Sequence, residues 1–138
     1  MSESSSLPPS LGLWHLALQI PSERYDATFR FYRDVMGMGV DWQPDANAVY
    51  LSSGRDNLAL HRVETVDRSH SPIDHLGFIV PSAAAVEAWH ARVQELGGSC
   101  GAEILNAPRT HRDGATSFYL FDPSGNKVQI VHIPTVRA

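Results

Sequence analysis

The chain has 138 residues, 43% of them hydrophobic and 19% charged, with a formal net charge of −4. That length and apolar content suit one domain with a real core. The mild negative charge and scattered Lys and Arg argue against a nucleic-acid footprint, and no apolar run approaches the ~20 residues that cross a bilayer. The single cysteine, Cys100, cannot close an intrachain disulfide, which fits a reducing compartment, so a cytoplasmic protein is expected. Residues 1–11 open with a Ser- and Pro-rich stretch that lacks the basic and apolar regions of a signal peptide; they are expected to be a disordered tail.

In chain order, the first strand is expected over residues 13–20. Pro21, which lacks an N–H, closes it, and Ser22 is the helix N-cap. Tyr25, Phe29, Tyr32 and Met36 recur at intervals of three and four residues, the stripe of an amphipathic helix, and Gly37 stops it. Short apolar runs at 40–43, 48–52 and 57–63 are parted by Pro44-Asp45 and by Ser53-Gly54-Arg55-Asp56, and read as three hairpin-linked strands. Polar residues 65–74, including Pro72, form the linker between halves. A second strand is expected over 74–80 and a cap at Ser82. The helix that follows carries Val86, Trp89, Val93 and Leu96 and stops at Gly97-Gly98. Strands at 102–105, 116–121 and 127–133 come next, with Asp122-Pro123-Ser124-Gly125-Asn126 as the turn between the last two. Residues 106–114 form a loop insertion rich in Arg and His.

The segment from His15 to Ser22 returns sixty residues later from His75 to Ser82, with the His, the Leu and the closing Pro-Ser in the same places. The match continues at Phe29 and Trp89, Met36 and Leu96, and Gly37 and Gly97. One supersecondary unit has been built twice. The expected architecture is α+β: two tandem βαβββ modules, 12–64 and 73–134, in a single domain over 12–134, forming a curved, cup-like mixed or antiparallel sheet. Strand residues two apart share a face, so His15, Ala17 and Gln19 oppose Leu16, Leu18 and Ile20, and His75, Gly77 and Ile79 oppose Leu76, Phe78 and Val80. The apolar sets should pack under the helices and the histidine faces should line the hollow. Two imidazoles brought together there make a ready divalent-metal site.

The paired first-strand histidines, Phe31-Tyr32 before Met36-Gly37-Met38, and the 122–126 turn together resemble the vicinal oxygen chelate superfamily. That group includes glyoxalases, bleomycin-binding proteins, fosfomycin-modifying enzymes and extradiol dioxygenases, and the resemblance covers about residues 13–133. It implies two modules cupped around a divalent ion open to substrate oxygens, with His15 and His75 as ligands. The family's carboxylate position falls on Gln129, which keeps a carbonyl oxygen but no charge, so weaker metal binding is expected. The remaining ligand position falls at about Ala59, which cannot bind; His61, two residues on and on the same face, is a substitute. His111, Phe118-Tyr119 and Asp122-Pro123-Ser124-Gly125 look like the extradiol signature, although that signature ends in glutamate and fosfomycin-modifying members also carry Ser-Phe-Tyr before this turn. The resemblance then makes His111 an acid or base and has Tyr119 orient substrate oxygens.

The function expected from this is a metal-dependent enzyme on a small substrate with adjacent oxygens, most simply an extradiol ring-cleaving dioxygenase using Fe(II) or Mn(II). A glyoxalase-type isomerase or fosfomycin-type thiol transferase using Zn(II) or Ni(II) is the second enzyme reading. A bleomycin-resistance-like binding module is the non-catalytic rival, and Gln129 favours it. A homodimer is expected. Plainer roles stand beside these. His111, between Arg109 and Arg112, reads equally as a solvated loop residue or as part of an anion-greeting cluster. Tyr119 also fits sheet packing, and His61 fits a sheet-edge cover. His70, His90 and His132 read as surface residues, and Trp14, Trp42 and Trp89 as core or cavity wall.

Overall fold

Parallel pairing between the first and last strand of each half organises the chain. In the computed structural model, which describes residues 8–67, 71 and 73–135, β1 (His15–Pro21) lies parallel to β4 (Asn57–Val63), and β5 (Leu76–Ile79) parallel to β9 (Lys127–His132). Most of the expected tail, part of the linker, and His70 lie outside the described residues. β2 (Gly39–Asp45) and β3 (Ala48–Ser52) complete the first sheet in the order β1-β4-β3-β2. β8 (Thr116–Phe121) and β6 (Glu103–Ile104) extend the second in the order β5-β9-β8-β6, with β7 (Arg109–Thr110) also paired to β8. A parallel pair requires a crossover connection. Each half places a helix in it, α1 (Ser22–Arg30) and α2 (Ala83–Leu96). Two mixed sheets result, neither closed into a barrel, and the α+β plan of two βαβββ units is present. Among the described residues no helix is long and apolar enough to cross a membrane.

Local differences from expectation have physical causes. β1 starts at His15 and runs through Pro21, which pairs with Val63 and itself occupies the N-cap position, at φ −61 and ψ 143. Because β1 is an edge strand, the donor that proline lacks can fall on its unpaired side. Ser22 is already helical, and its hydroxyl accepts from Arg62 Nη1 at 3.0 Å. The first helix does not run unbroken to Met36. It passes into a π-helical turn, Phe31–Val35, closed by Met36 N–H donating to the Phe31 carbonyl at 3.0 Å. That wider turn shifts the helical phase. Adjacent Phe31 and Tyr32 are thereby both fully buried, and Phe29 sits at the margin under the Arg33 guanidinium. In the second half His75 lies just before its strand rather than in it. Ser82 caps α2 as expected, accepting from Ala85 N–H at 3.0 Å. The chain reverses at Gly101 (φ 93), after a 3₁₀ turn through Gly97–Cys100, rather than at Gly97-Gly98. β7 lies inside the expected insertion loop.

The expected division of faces is largely realised. Leu18, Ile20, Leu58 and Leu60 from the first sheet and Phe118, Leu120, Val128 and Ile130 from the second bury against Phe31, Tyr32, Val35, Val86 and Val93 in one shared core. His15, Ala17, Gln19, His75 and Gly77 stay exposed on the other faces. Trp89 packs at the margin of the core, whereas Trp14 and Trp42 are 57% and 60% exposed. His90 and His132 are half-buried rather than fully on the surface, and His90 meets the Phe118 ring edge-on.

Polar contacts also join the halves. Arg92 of α2 donates to the carbonyls of Val35 (2.7 Å) and Asp34 (3.1 Å), at the C-terminal end of the π-helical turn. At the 122–126 turn, the Asp122 carboxylate is 2% exposed. It accepts from the backbone N–H groups of Ser124 and Asn126, from both of their side chains, and from the Tyr32 hydroxyl at 2.7 Å. A buried acceptor of this kind is costly to leave short of a donor. Tyr32→Phe is therefore expected to lower unfolding stability by about 1–3 kcal/mol, read as a lower urea midpoint with an unchanged slope.

Candidate functional site

Register explains how the first histidine is held. The parallel ladder sets His15 opposite Asn57. His15 Nδ1 lies 2.7 Å from Asn57 Oδ1, and the amide nitrogen of Asn57 points to Asp41 Oδ2 at 3.4 Å. An amide oxygen can only accept, so Nδ1 carries the proton and Nε2 presents a lone pair. Tyr50 stacks on the His15 ring at 6.2 Å, Trp42 stacks on Tyr50 at 5.1 Å, and Trp14 tilts against His15 at 6.2 Å. A row of four rings thus crosses the front of the first sheet.

The second histidine is held differently. His75 Nδ1 lies 2.7 Å from the Asp74 carboxylate, which fixes the same tautomer. Hydrogen bonding to His75, with a smaller Coulombic pull from Lys127, holds the Asp74 carboxyl below its ordinary value. Tyr119 meets the His75 ring edge-on at 5.5 Å and accepts from Gln129 Nε2 at 3.1 Å. The Gln129 carbonyl oxygen turns toward β5, where a Cβ at Gly77 would come within 3.4 Å of it. Lys127 Nζ stands 5.8 Å from the centre of the Tyr119 ring.

His15 and His75 both line one cleft of about 890 Å³ between the halves, walled also by Leu16, Met38, Asp56 and Ile73. The other expected site residues, Gln129 and Tyr119 included, do not line this cleft. His61 pairs with Gln19 and meets Tyr50 edge-on at 5.9 Å. Four residues from Asn57, it lies roughly 13 Å up the strand from the His15 rung. His111 Nε2 contacts Ser117 Oγ at 3.1 Å, at the β7–β8 turn. Ser117 is two residue pairs beyond Tyr119, on the side away from His75.

The front faces repeat each other more closely than the sequence repeat suggests. Tyr50 lies opposite Ala59, and Ala59 opposite Ala17; Tyr119 lies opposite Gln129, and Gln129 opposite Gly77. Each half therefore carries a histidine–tyrosine pair at the same lattice points. Tyr50 was missed in the sequence because the spacing between histidine and tyrosine differs between the halves, and Asn57 and Lys127 because only strand register sets them beside the histidines. Asp74, next to His75, was read only as the start of a strand. Aligning strand by strand, with gaps, would have matched the tyrosines.

The donor types at the two histidines are ones a divalent cation accepts. His15 and His75 each present Nε2, with Nδ1 held by an acceptor, as metal-binding imidazoles usually are. Gln129 adds a carbonyl oxygen. The set carries no charge of its own, and among the described residues no three His, Cys, Asp or Glu side chains gather to hold a metal. Both histidines are expected to be Nδ1–H tautomers in two-bond ¹⁵N–¹H spectra of the metal-free protein. Asn57→Ala should remove that preference at His15 while leaving His75 unchanged.

Comparison with known proteins places this geometry in context. The profile of the Glyoxalase/Bleomycin resistance protein/Dioxygenase superfamily matches residues 12–130. Lactoylglutathione lyase from Agrobacterium tumefaciens superposes with a TM-score of 0.71 at 24% identity, over 91% of this chain and 96% of that one. A glyoxalase-related enzyme from Fulvimarina pelagi gives 0.72 at 18% identity, over 91% and 90%. A glyoxalase/bleomycin resistance protein/dioxygenase family enzyme from Burkholderia phytofirmans PsJN gives 0.69 at 19%, over 86% and 96%. At these identities the likeness is one of fold. Comparison with curated protein sequences gives no match.

Proposed function

Because the chain belongs to the Glyoxalase/Bleomycin resistance protein/Dioxygenase superfamily, we propose that it is a metal-dependent enzyme acting on a small substrate with two adjacent oxygen atoms, of the extradiol ring-cleaving kind. One observation carries this reading: both first-strand histidines have Nδ1 engaged by an acceptor, which leaves each Nε2 a lone pair, and both residues line one cleft. In this reading His15, His75 and Gln129 hold the cation. A cation there supplies Lewis acidity and, as Fe(II) or Mn(II), one-electron chemistry with O₂.

The chain's own groups divide the remaining work. Asp74 and Asn57 hold the two imidazoles in one tautomer and orientation. Tyr119 accepts from Gln129, so its own O–H is free to donate to a substrate oxygen. His111, held by Ser117 two residue pairs outward, serves proton exchange at the rim. Homodimerisation belongs to the same proposal, with the exposed apolar side chains that flank the histidine faces, Trp14, Val40 and Trp42, covered by the second copy. Sedimentation velocity is expected to give a dimer; a monomer at every concentration would remove this part.

Two observations favour a non-catalytic binding module as the second reading: the uncharged donor set and the exposed row of rings from Trp14 to Trp42. Reconstitution with Mn(II), Fe(II), Ni(II) and Zn(II), followed by oxygen uptake with catechol, separates the possibilities. Metal at one equivalent with oxygen uptake supports ring cleavage. Metal without uptake favours an isomerase or thiol transferase, and no metal at all leaves the binding module. Gln129→Glu adds the missing charge to the donor set, and is expected to tighten metal binding at least tenfold by calorimetry. An unchanged affinity would remove Gln129 from the ligand set.

A further inference from the structure

Each half sets a histidine beside a tyrosine, but the residue flanking the histidine on the neighbouring strand differs. In the first half that residue is Asn57, and it is occupied in orienting His15. The pairing of Leu76 with Val128 and of Gly77 with Gln129 puts Lys127 at the matching point beside His75. Here the orienting task falls to Asp74, the residue before the histidine. Lys127 is thereby left without that orienting task, and its charge acts on Asp74 only through space. Among the described residues it forms no ion pair. Its ammonium instead lies over the Tyr119 ring, on the same front face as Gln129.

The polarity of this corner is consistent. The Tyr119 oxygen already accepts from Gln129, so what the phenol offers outward is its O–H. Lys127 offers three N–H donors and a positive charge. Asp74 brings a negative charge to the same corner, but its carboxylate is engaged by His75 Nδ1. An ammonium over the ring of this phenol offers charged donors to an anionic group. Nothing equivalent exists in the first half, where Asn57 is 6% exposed and its matched tyrosine, Tyr50, is stacked between Trp42 and His15. The two halves of the site therefore differ in kind, with an aromatic surface on one and, on the other, a donor-rich corner in which Lys127 stands near Asp74.

We propose that Lys127 recognises a carboxylate on the substrate, with the Tyr119 O–H kept for the diol, so that the preferred substrates are aromatic diols carrying a carboxyl group. This rests on the functional reading above and adds the charge of the substrate to it. Lys127 is a binding residue here.

The test compares two probes that differ only in that group, catechol and 3,4-dihydroxybenzoate, by calorimetry on the full chain with Zn(II), which cannot turn them over by redox chemistry. The wild type is expected to bind 3,4-dihydroxybenzoate about tenfold more tightly, the scale of one charge-assisted hydrogen bond. Lys127→Gln should abolish that preference and leave catechol affinity within about twofold of the wild type, well under one such bond. Lys127→Arg, which keeps the charge, should retain the preference. Equal affinity for the two probes in the wild type, or a preference that survives Lys127→Gln, overturns the role of Lys127 while leaving the diol reading intact. Failure to bind either probe overturns both.

Discussion

The Asp122 carboxylate is the interaction on which the relation between the halves depends. It is nearly inaccessible to water, yet it is satisfied from two sides. Its own turn supplies backbone and side-chain donors from Ser124 and Asn126, and the first half supplies the Tyr32 hydroxyl. A carboxylate so placed tolerates little movement, because losing a donor in a dry environment is costly. The turn before β9 is thereby tied to the helical segment of the opposite module. β9 carries Lys127 and Gln129, and β5 lies beside it, so the second histidine face is positioned by the same tie. The π-helical turn belongs to this constraint: the phase shift it introduces buries Phe31 and Tyr32 together, one ring for the core and one hydroxyl for Asp122.

Duplication then accounts for both the symmetry and the asymmetry of the candidate site. Two copies of one fold place a histidine and a tyrosine at the same lattice points on each front face. The positions around them have diverged. Ala59 and Ala17 leave the first half without a third donor, whereas Gln129 and Gly77 give the second half a carbonyl oxygen and the space for it. Asn57 and Asp74 solve the same problem, fixing an imidazole tautomer, from a neighbouring strand in one case and from the adjacent residue in the other. Because the solutions differ, one corner holds a lysine that the other has no counterpart for.

Much of the fold was legible in the sequence, and the candidate site less so. Both helices, the alternation of buried and exposed strand residues, the Ser82 cap and the 122–126 turn all follow from local chemistry: the period of apolar residues, a hydroxyl before a helix, a Pro-Gly turn. The misplacements are also local in origin. Pro21 was read as ending β1, but on an edge strand the donor it lacks is not needed. Met36 was read as completing an unbroken helix, and the π-helical turn altered its phase.

By itself the sequence determined that the chain is built twice, which side of each strand faces the helices, and that a histidine opens each front face. Those are statements of periodicity and repetition, which a linear string carries directly. Only the tertiary structure decided which residues stand beside those histidines: Asn57 and Tyr50 in one half, Asp74, Tyr119 and Lys127 in the other, with His61 and His111 set further away. Neighbours across strands are chosen by register, and register follows from loop lengths, strand ends and packing far along the chain. No local pattern encodes that choice.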